Sequence, residues 1–231
     1  MHSFSLNSEV IGNIFHFAKP LGHHEKRGSF NLGFGFLYYG AVRAFRPKHV
    51  LIIGSGFGFS VVCFALGLKD NGKGILSFVD PSYNVLKHGP LKTVGGRGMW
   101  DNPEEVKKHF RLFGIDEIVT HHKLKAGEFF PRFKALGLPF IDIAFVDGNH
   151  SYKNVKYDFM AVLEHTRKNA YIFLHDTNIY VREIIRNSGV KRWLDVIKKQ
   201  TGLFEVIDFP FSSGVAIVRV LKDDAWKSLK I

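Results

Sequence analysis

From residue 49 onward, short apolar runs alternate with amphipathic stretches, a pattern that predicts strands and helices in turn. His49-Val-Leu-Ile-Ile53 reads as a buried strand that breaks into Gly54, Gly56 and Gly58, and the chain resumes as the helical start Val61-Val-Cys-Phe-Ala-Leu66. Further strands are expected at 74–80, 118–124, 140–147 and 170–176, and such continuously apolar runs suit a parallel sheet covered by helices. Asn102 to Phe113 has Pro103 near its start, acids in its first turn and Gly114 after its end, as a capped helix should. Residues 128–136 and 152–169 supply the next two helices, and 179–200 a long amphipathic one. Phe204 to Phe209 and Gly214 to Val220 flank the turn-rich Pro210-Phe-Ser-Ser213 and predict a closing antiparallel hairpin.

The fold class expected is α/β: a Rossmann-like, doubly wound, mostly parallel seven-stranded sheet with an antiparallel C-terminal hairpin. Residues 1–46 read as an N-terminal cap segment, with a glycine-phenylalanine patch at 33–36 and a short helix from Leu37 to Phe45 that stops before Pro47. That leaves 47–231 as one domain. The stretch 83–101, with Gly95-Gly96-Arg97-Gly98, reads as a long flexible loop of the kind that forms lids.

At 231 residues and 45% hydrophobic content the chain suffices for one core. No basic start with an apolar run behind it opens the sequence, and no stretch approaches the roughly 18 apolar residues of a membrane span. The single cysteine, Cys63, falls in the apolar helix after the glycines and reads as buried packing in a cytoplasmic protein. A formal charge of +11 suits an anionic partner or substrate, although the lysines and arginines are scattered in small groups. The 23 phenylalanines can fill a core, line an apolar pocket or build the face of a homo-oligomer.

In an open parallel sheet, residues that end successive strands meet in space. Here these are Gly54 to Gly58, Asp80, Ala126-Gly127, Asp147 and His175-Asp176. A dinucleotide fingerprint reads G-x-G-x-x-G, but Phe59 stands where its third glycine belongs and the glycine falls one residue early, at Gly58. Asp80 lies where an acid can accept both hydrogen bonds of a ribose diol. The pair His121-His122 sits within a strand, so its members face opposite sides and read as structural.

On these residues the chain, over roughly 33–220, resembles the class I S-adenosylmethionine-dependent methyltransferases. Residues 46–60 are similar to the first motif of that family. The pattern Phe145-Val-Asp-Gly-Asn-His-Ser-Tyr152 through Asp158, with Phe173-Leu-His-Asp-Thr177, is similar to the subgroup of cephalosporin-hydroxylase-like and macrocin-type O-methyltransferases.

The resemblance implies roles. Gly54, Ser55, Gly56 and Phe57 would hold the methionine part of the cofactor, Ser60 its carboxylate, Asp80 the ribose hydroxyls and Ala126 the adenine border, with Asp147 also beside the cofactor. Asp147, His175 and Asp176 would hold a divalent metal such as magnesium, with His175 where such relatives carry an acid. His150 would act as the catalytic base, assisted by Asp147. Asp158 belongs to the motif without a role.

The reaction implied is O-methylation of a small-molecule hydroxyl. The net charge keeps a nucleic acid methyltransferase as the alternative, against which strand four lacks an Asp/Asn-Pro-Pro-aromatic motif. A non-catalytic cofactor- or partner-binding protein of the same fold is the third reading. A dehydrogenase fits least, because of the displaced glycine.

Overall fold

In a computed structural model, residues 4–83, 86–87, 92–93, 98–178 and 189–229 are described. The strands are β1 (His49–Ile53), β2 (Ile75–Val79), the two-residue β3 (Leu86–Lys87) and β4 (Lys92–Thr93), β5 (Val119–His122), β6 (Ile141–Val146), β7 (Thr166–His175), β8 (Phe204–Phe209) and β9 (Val215–Val220). Seven of them form one sheet in the order β5-β2-β1-β6-β7-β9-β8, while β3 and β4 pair separately. The first five of that order are parallel, and β9 runs antiparallel to both β7 and β8.

Alternation along β1 explains the layering: Val50 and Ile52 face one core, Leu51 and Ile53 the other. The first core is covered by α1 (Ser8–Asn13), α2 (Phe34–Phe45), α3 (Phe59–Asn71) and α4 (Pro103–Arg111). The second is covered by α5 (Ala126–Phe129), α6 (Tyr152–Glu164) and α7 (Val190–Lys198). Helix α3 is apolar almost all round because it is wedged between α2 and the sheet, and Cys63 within it is fully buried. Among the described residues no helix is long and apolar enough to cross a membrane.

Three expected elements differ. The helix expected at 128–136 is reduced to α5 and a 3₁₀ turn at Phe130–Arg132, because Pro131 offers no amide to continue it. Helix α6 ends at Glu164 rather than 169: His165 Nδ1 pairs with Ala161 O at 2.9 Å and Thr166 Oγ1 donates to Leu163 O at 2.8 Å, and Thr166 then opens β7. Helix α2 begins at Phe34, three residues early, since Gly33 at φ +56° makes the turn into it. Of the long helix expected at 179–200 the described part is α7; residues 179–188, and 84–85, 88–91 and 94–97 of the expected loop, lie outside the described residues.

Candidate active site

The strand order reverses direction between β1 and β6, and the crevice at such a switch point is where open α/β sheets bind ligands. Gly54 follows β1 with φ +71°, and a Cβ there would stand 2.6 Å from the Asp147 carbonyl oxygen at the end of β6. Gly56 also has a left-handed φ, +45°, yet a Cβ built on it meets nothing within 4 Å. The main chain at Gly56 is therefore an open cradle. Gly58 is the N-cap of α3 at φ +88°, and Trp100 lies 3.0 Å from where its Cβ would be. The displaced third glycine thus admits a tryptophan. Trp100 is fully buried, its Nε1–H donates to Gly56 O at 3.1 Å, and its amide donates to Ser82 Oγ at 3.0 Å.

Around the turn, the Ser55 and Ser60 hydroxyls pair at 2.6 Å, both buried, so Ser60 faces the turn from the first helical residues of α3. Phe57 is half-buried with Lys19 Nζ 5.4 Å above its ring. Asp80 ends β2, buried, and takes the Ser82 amide at 2.7 Å. Burial pushes its carboxyl up to about 6, against the pull of the Ser82 and Ser55 amides. Beside it, His121 Nε2 reaches Asp80 O at 3.0 Å and the His122 ring packs on Phe129, the structural roles expected of that pair. Ala126 opens α5, one strand further out, after a capping box in which Glu128 accepts the Lys125 amide.

Three strand-end residues, Asp147, His175 and Asp176, converge with His150 from the loop before α6. His150 Nε2 lies 3.2 Å from Asp147 Oδ1 and its Nδ1 lies 3.0 Å from Asp176 Oδ2. His175 Nδ1 lies 3.0 Å from Asp147 Oδ1 and 3.4 Å from Asp176 Oδ1. Asp176 holds a left-handed φ of +62°, a strained conformation for a residue with a side chain. Burial opposes charge here, yet Asp176 and Asp147 outweigh it and hold His150 up at about 10. By the same contest Asp147 stays near 2, held down by His175 and His150. Ser151, not His150, caps α6.

A fifth member was not legible from the pattern. His23 is buried, its ring stacks on His175 with centroids 4.2 Å apart, and its Nδ1 pairs with the hydroxyl of buried Tyr38 at 3.0 Å. Among the described residues two sets of three donors result, His23-Asp147-His175 and Asp147-His150-Asp176, each with donor atoms within 4.8 Å of one another. The expected metal set took Asp147, His175 and Asp176 from across these two. Imidazole and carboxylate together can bind a divalent ion, so the residues fit one. Asp158, buried in α6, sits under Gly148, with Oδ2 3.3 Å from where a Cβ would be.

The model of one family, described as a methyltransferase domain, matches residues 51–177, which runs from β1 to the residue after Asp176. The chain belongs to that family. This methyltransferase has the class I architecture, and its S-adenosylmethionine-dependent type follows from the family. Its fold is similar to that of the O-methyltransferase TomG of Streptomyces achromogenes, involved in tomaymycin synthesis and solved with S-adenosylmethionine (15% identity, 96% of this chain and 91% of that one, TM-score 0.64). It is also similar to an O-methyltransferase of Bacillus cereus in complex with S-adenosylhomocysteine (15%, 95% and 92%, TM-score 0.63) and to a methyltransferase of Geobacter sulfurreducens (17%, 96% and 92%, TM-score 0.58). No curated protein matches the methyltransferase.

Proposed function

We propose that this methyltransferase moves the methyl group of S-adenosylmethionine to the oxygen of a small-molecule hydroxyl. The observation that carries the reading is His150, held between the Asp147 and Asp176 carboxylates beside the glycine turn. S-adenosylmethionine supplies an electrophilic methyl on a cationic sulfur. Gly54, Ser55, Gly56 and Phe57 receive the methionine part, where the open face of Gly56 leaves room for it. Ser60 and the N-terminus of α3 take the carboxylate, which unpaired amides and the helix dipole favour. Asp80 takes the ribose hydroxyls beside the Ser82 and Ser55 amides it already accepts, and Ala126 borders the adenine.

His150 exchanges one carboxylate partner for the acceptor hydroxyl and takes its proton at a ring nitrogen. A positive sulfonium nearby disfavours a second cation, which frees the imidazole for that role, and the carboxylates hold the imidazolium once formed. The acceptor oxygen then forms its bond to carbon as the carbon–sulfur bond breaks, and the sulfur leaves neutral. A divalent ion held at Asp147 would add Lewis-acid help by lowering the pKa of the hydroxyl. The charge of +11 supports an anionic acceptor, and the lone buried Cys63 supports a cytoplasmic setting.

The test is incubation with isotopically labelled S-adenosylmethionine and a panel of phenols, catechols and sugar alcohols, with products identified by mass spectrometry. O-methylated product is expected, reduced about 100-fold or more in His150→Ala while cofactor affinity is kept. Methylation only at nitrogen, or undiminished turnover in His150→Ala, would overturn the reading.

A further inference from the structure

The N-terminal segment does more than cover the first core, because it delivers an imidazole to the strand ends. The backbone around His23 is pinned from two sides. The Phe34 amide at the start of α2 donates to His23 O at 2.7 Å, and a Cβ on Gly33 would collide with that oxygen. From the other side the Ser213 amide, in the turn between β8 and β9, donates to Gly22 O at 3.3 Å. The His23 amide itself is taken by Glu25 Oε2 at 2.7 Å. The ring is thus placed by main-chain contacts, 5% exposed, stacked on a His175 that is 3% exposed.

Both imidazoles show the second contact that metal-binding histidines carry. A ligating ring almost always commits its other nitrogen to a protein oxygen, which fixes tautomer and orientation. His23 commits Nδ1 to Tyr38 Oη at 3.0 Å, and His175 commits Nε2 to Gly22 O at 3.4 Å. His175 Nδ1 then faces Asp147 Oδ1 at 3.0 Å, and His23 offers its donor within 4.8 Å of both. From this geometry we infer that His23, Asp147 and His175 form a centre for a borderline transition metal of the zinc or iron(II) class, with an N-terminal residue as ligand.

Two imidazoles and one carboxylate select such ions over magnesium, which prefers an all-oxygen octahedron. The centre shares Asp147 with the transfer site and rests on the proposed placement of that site, but not on which group is transferred. An ion there would tie the N-terminal segment to the sheet across 124 residues of chain, the separation of His23 and Asp147.

The experiment is calorimetric titration of the chelator-treated full chain with zinc chloride and, separately, magnesium chloride, with S-adenosylhomocysteine titrated into the same preparations. Zinc is expected to bind at least about 100-fold more tightly than magnesium. His23→Ala should weaken zinc by about 100-fold, and Tyr38→Phe, which removes only the outer contact, by about 10-fold, with circular dichroism melts confirming that each folds. Should His23→Ala fail to fold, Tyr38→Phe alone decides. Magnesium binding as tightly as zinc, or a folded His23→Ala or Tyr38→Phe that holds zinc like the parent chain, would overturn the inference. S-adenosylhomocysteine binding lost in the parent chain would instead overturn the reading of function, whatever the zinc result.

Discussion

Gly54 and Asp147 stand back to back at the switch point of the sheet, so close that a Cβ on Gly54 would lie 2.6 Å from the Asp147 carbonyl oxygen. One backbone contact therefore joins the glycine turn to the cluster of carboxylates and imidazoles. Gly54→Ala must both strain a left-handed φ and push against backbone, and it should cost about 3 kcal/mol of stability with loss of cofactor binding. Gly56→Ala meets no atom within 4 Å and should cost only about 1 kcal/mol, yet still weaken cofactor binding because the methyl fills the open cradle. Denaturant midpoints set beside S-adenosylhomocysteine affinities would separate the two effects.

Asp80 should give opposite pH signs to binding and stability. Its carboxyl is raised to about 6 in the folded chain, so the folded state holds the proton more firmly than the unfolded one. Its contribution to stability is complete below the ordinary carboxylate range and is lost as pH rises through about 6. A ribose diol needs the ionised form, so cofactor affinity should rise over the same interval. Affinity measured at several values between pH 5 and 8 should lose this slope in Asp80→Asn.

Trp100 braces the glycine turn from behind. Trp100→Phe keeps the packing on Phe78 and Phe110 but removes the hydrogen bond to Gly56 O, and should cost about 1 kcal/mol. Trp100→Ala empties a fully buried site and should cost about 4 kcal/mol. Urea denaturation of both variants checks the ratio.

Asp158 is the buried acid of α6, and burial pushes its carboxyl up to about 7. Its folded-state value is raised, so its stabilising effect is present at low pH and disappears as pH rises through about 7. Asp158→Asn should therefore melt higher than the parent chain at pH 8 and no higher at pH 5. Thermal melts at the two pH values test this.

Much of the site could be read along the chain because strand ends are easy to read. Gly54, Asp80, Asp147 and His175-Asp176 each follow an apolar run, and parallel pairing brings such ends together without further information. Helix lengths were less legible, since Pro131 and the side chains of His165 and Thr166 stop helices that periodicity alone would extend. His23 was not legible at all. Its place depends on a turn held by Gly33, on the stack with His175, 152 residues away, and on the bond from the Ser213 amide to Gly22 O, 191 residues apart, and neither periodicity nor local spacing carries such separations. The signal that could have found it is the pair His23-His24 after Gly22.

The crevice between the glycine turn and Asp80 is the proposed seat of the methyl donor. Calorimetry of S-adenosylhomocysteine binding to the full chain and to Asp80→Ala tests it most directly. One site per chain is expected, weakened by about 10-fold or more in the variant; no binding by the parent chain, or equal affinity in Asp80→Ala, would rule out this placement of the donor.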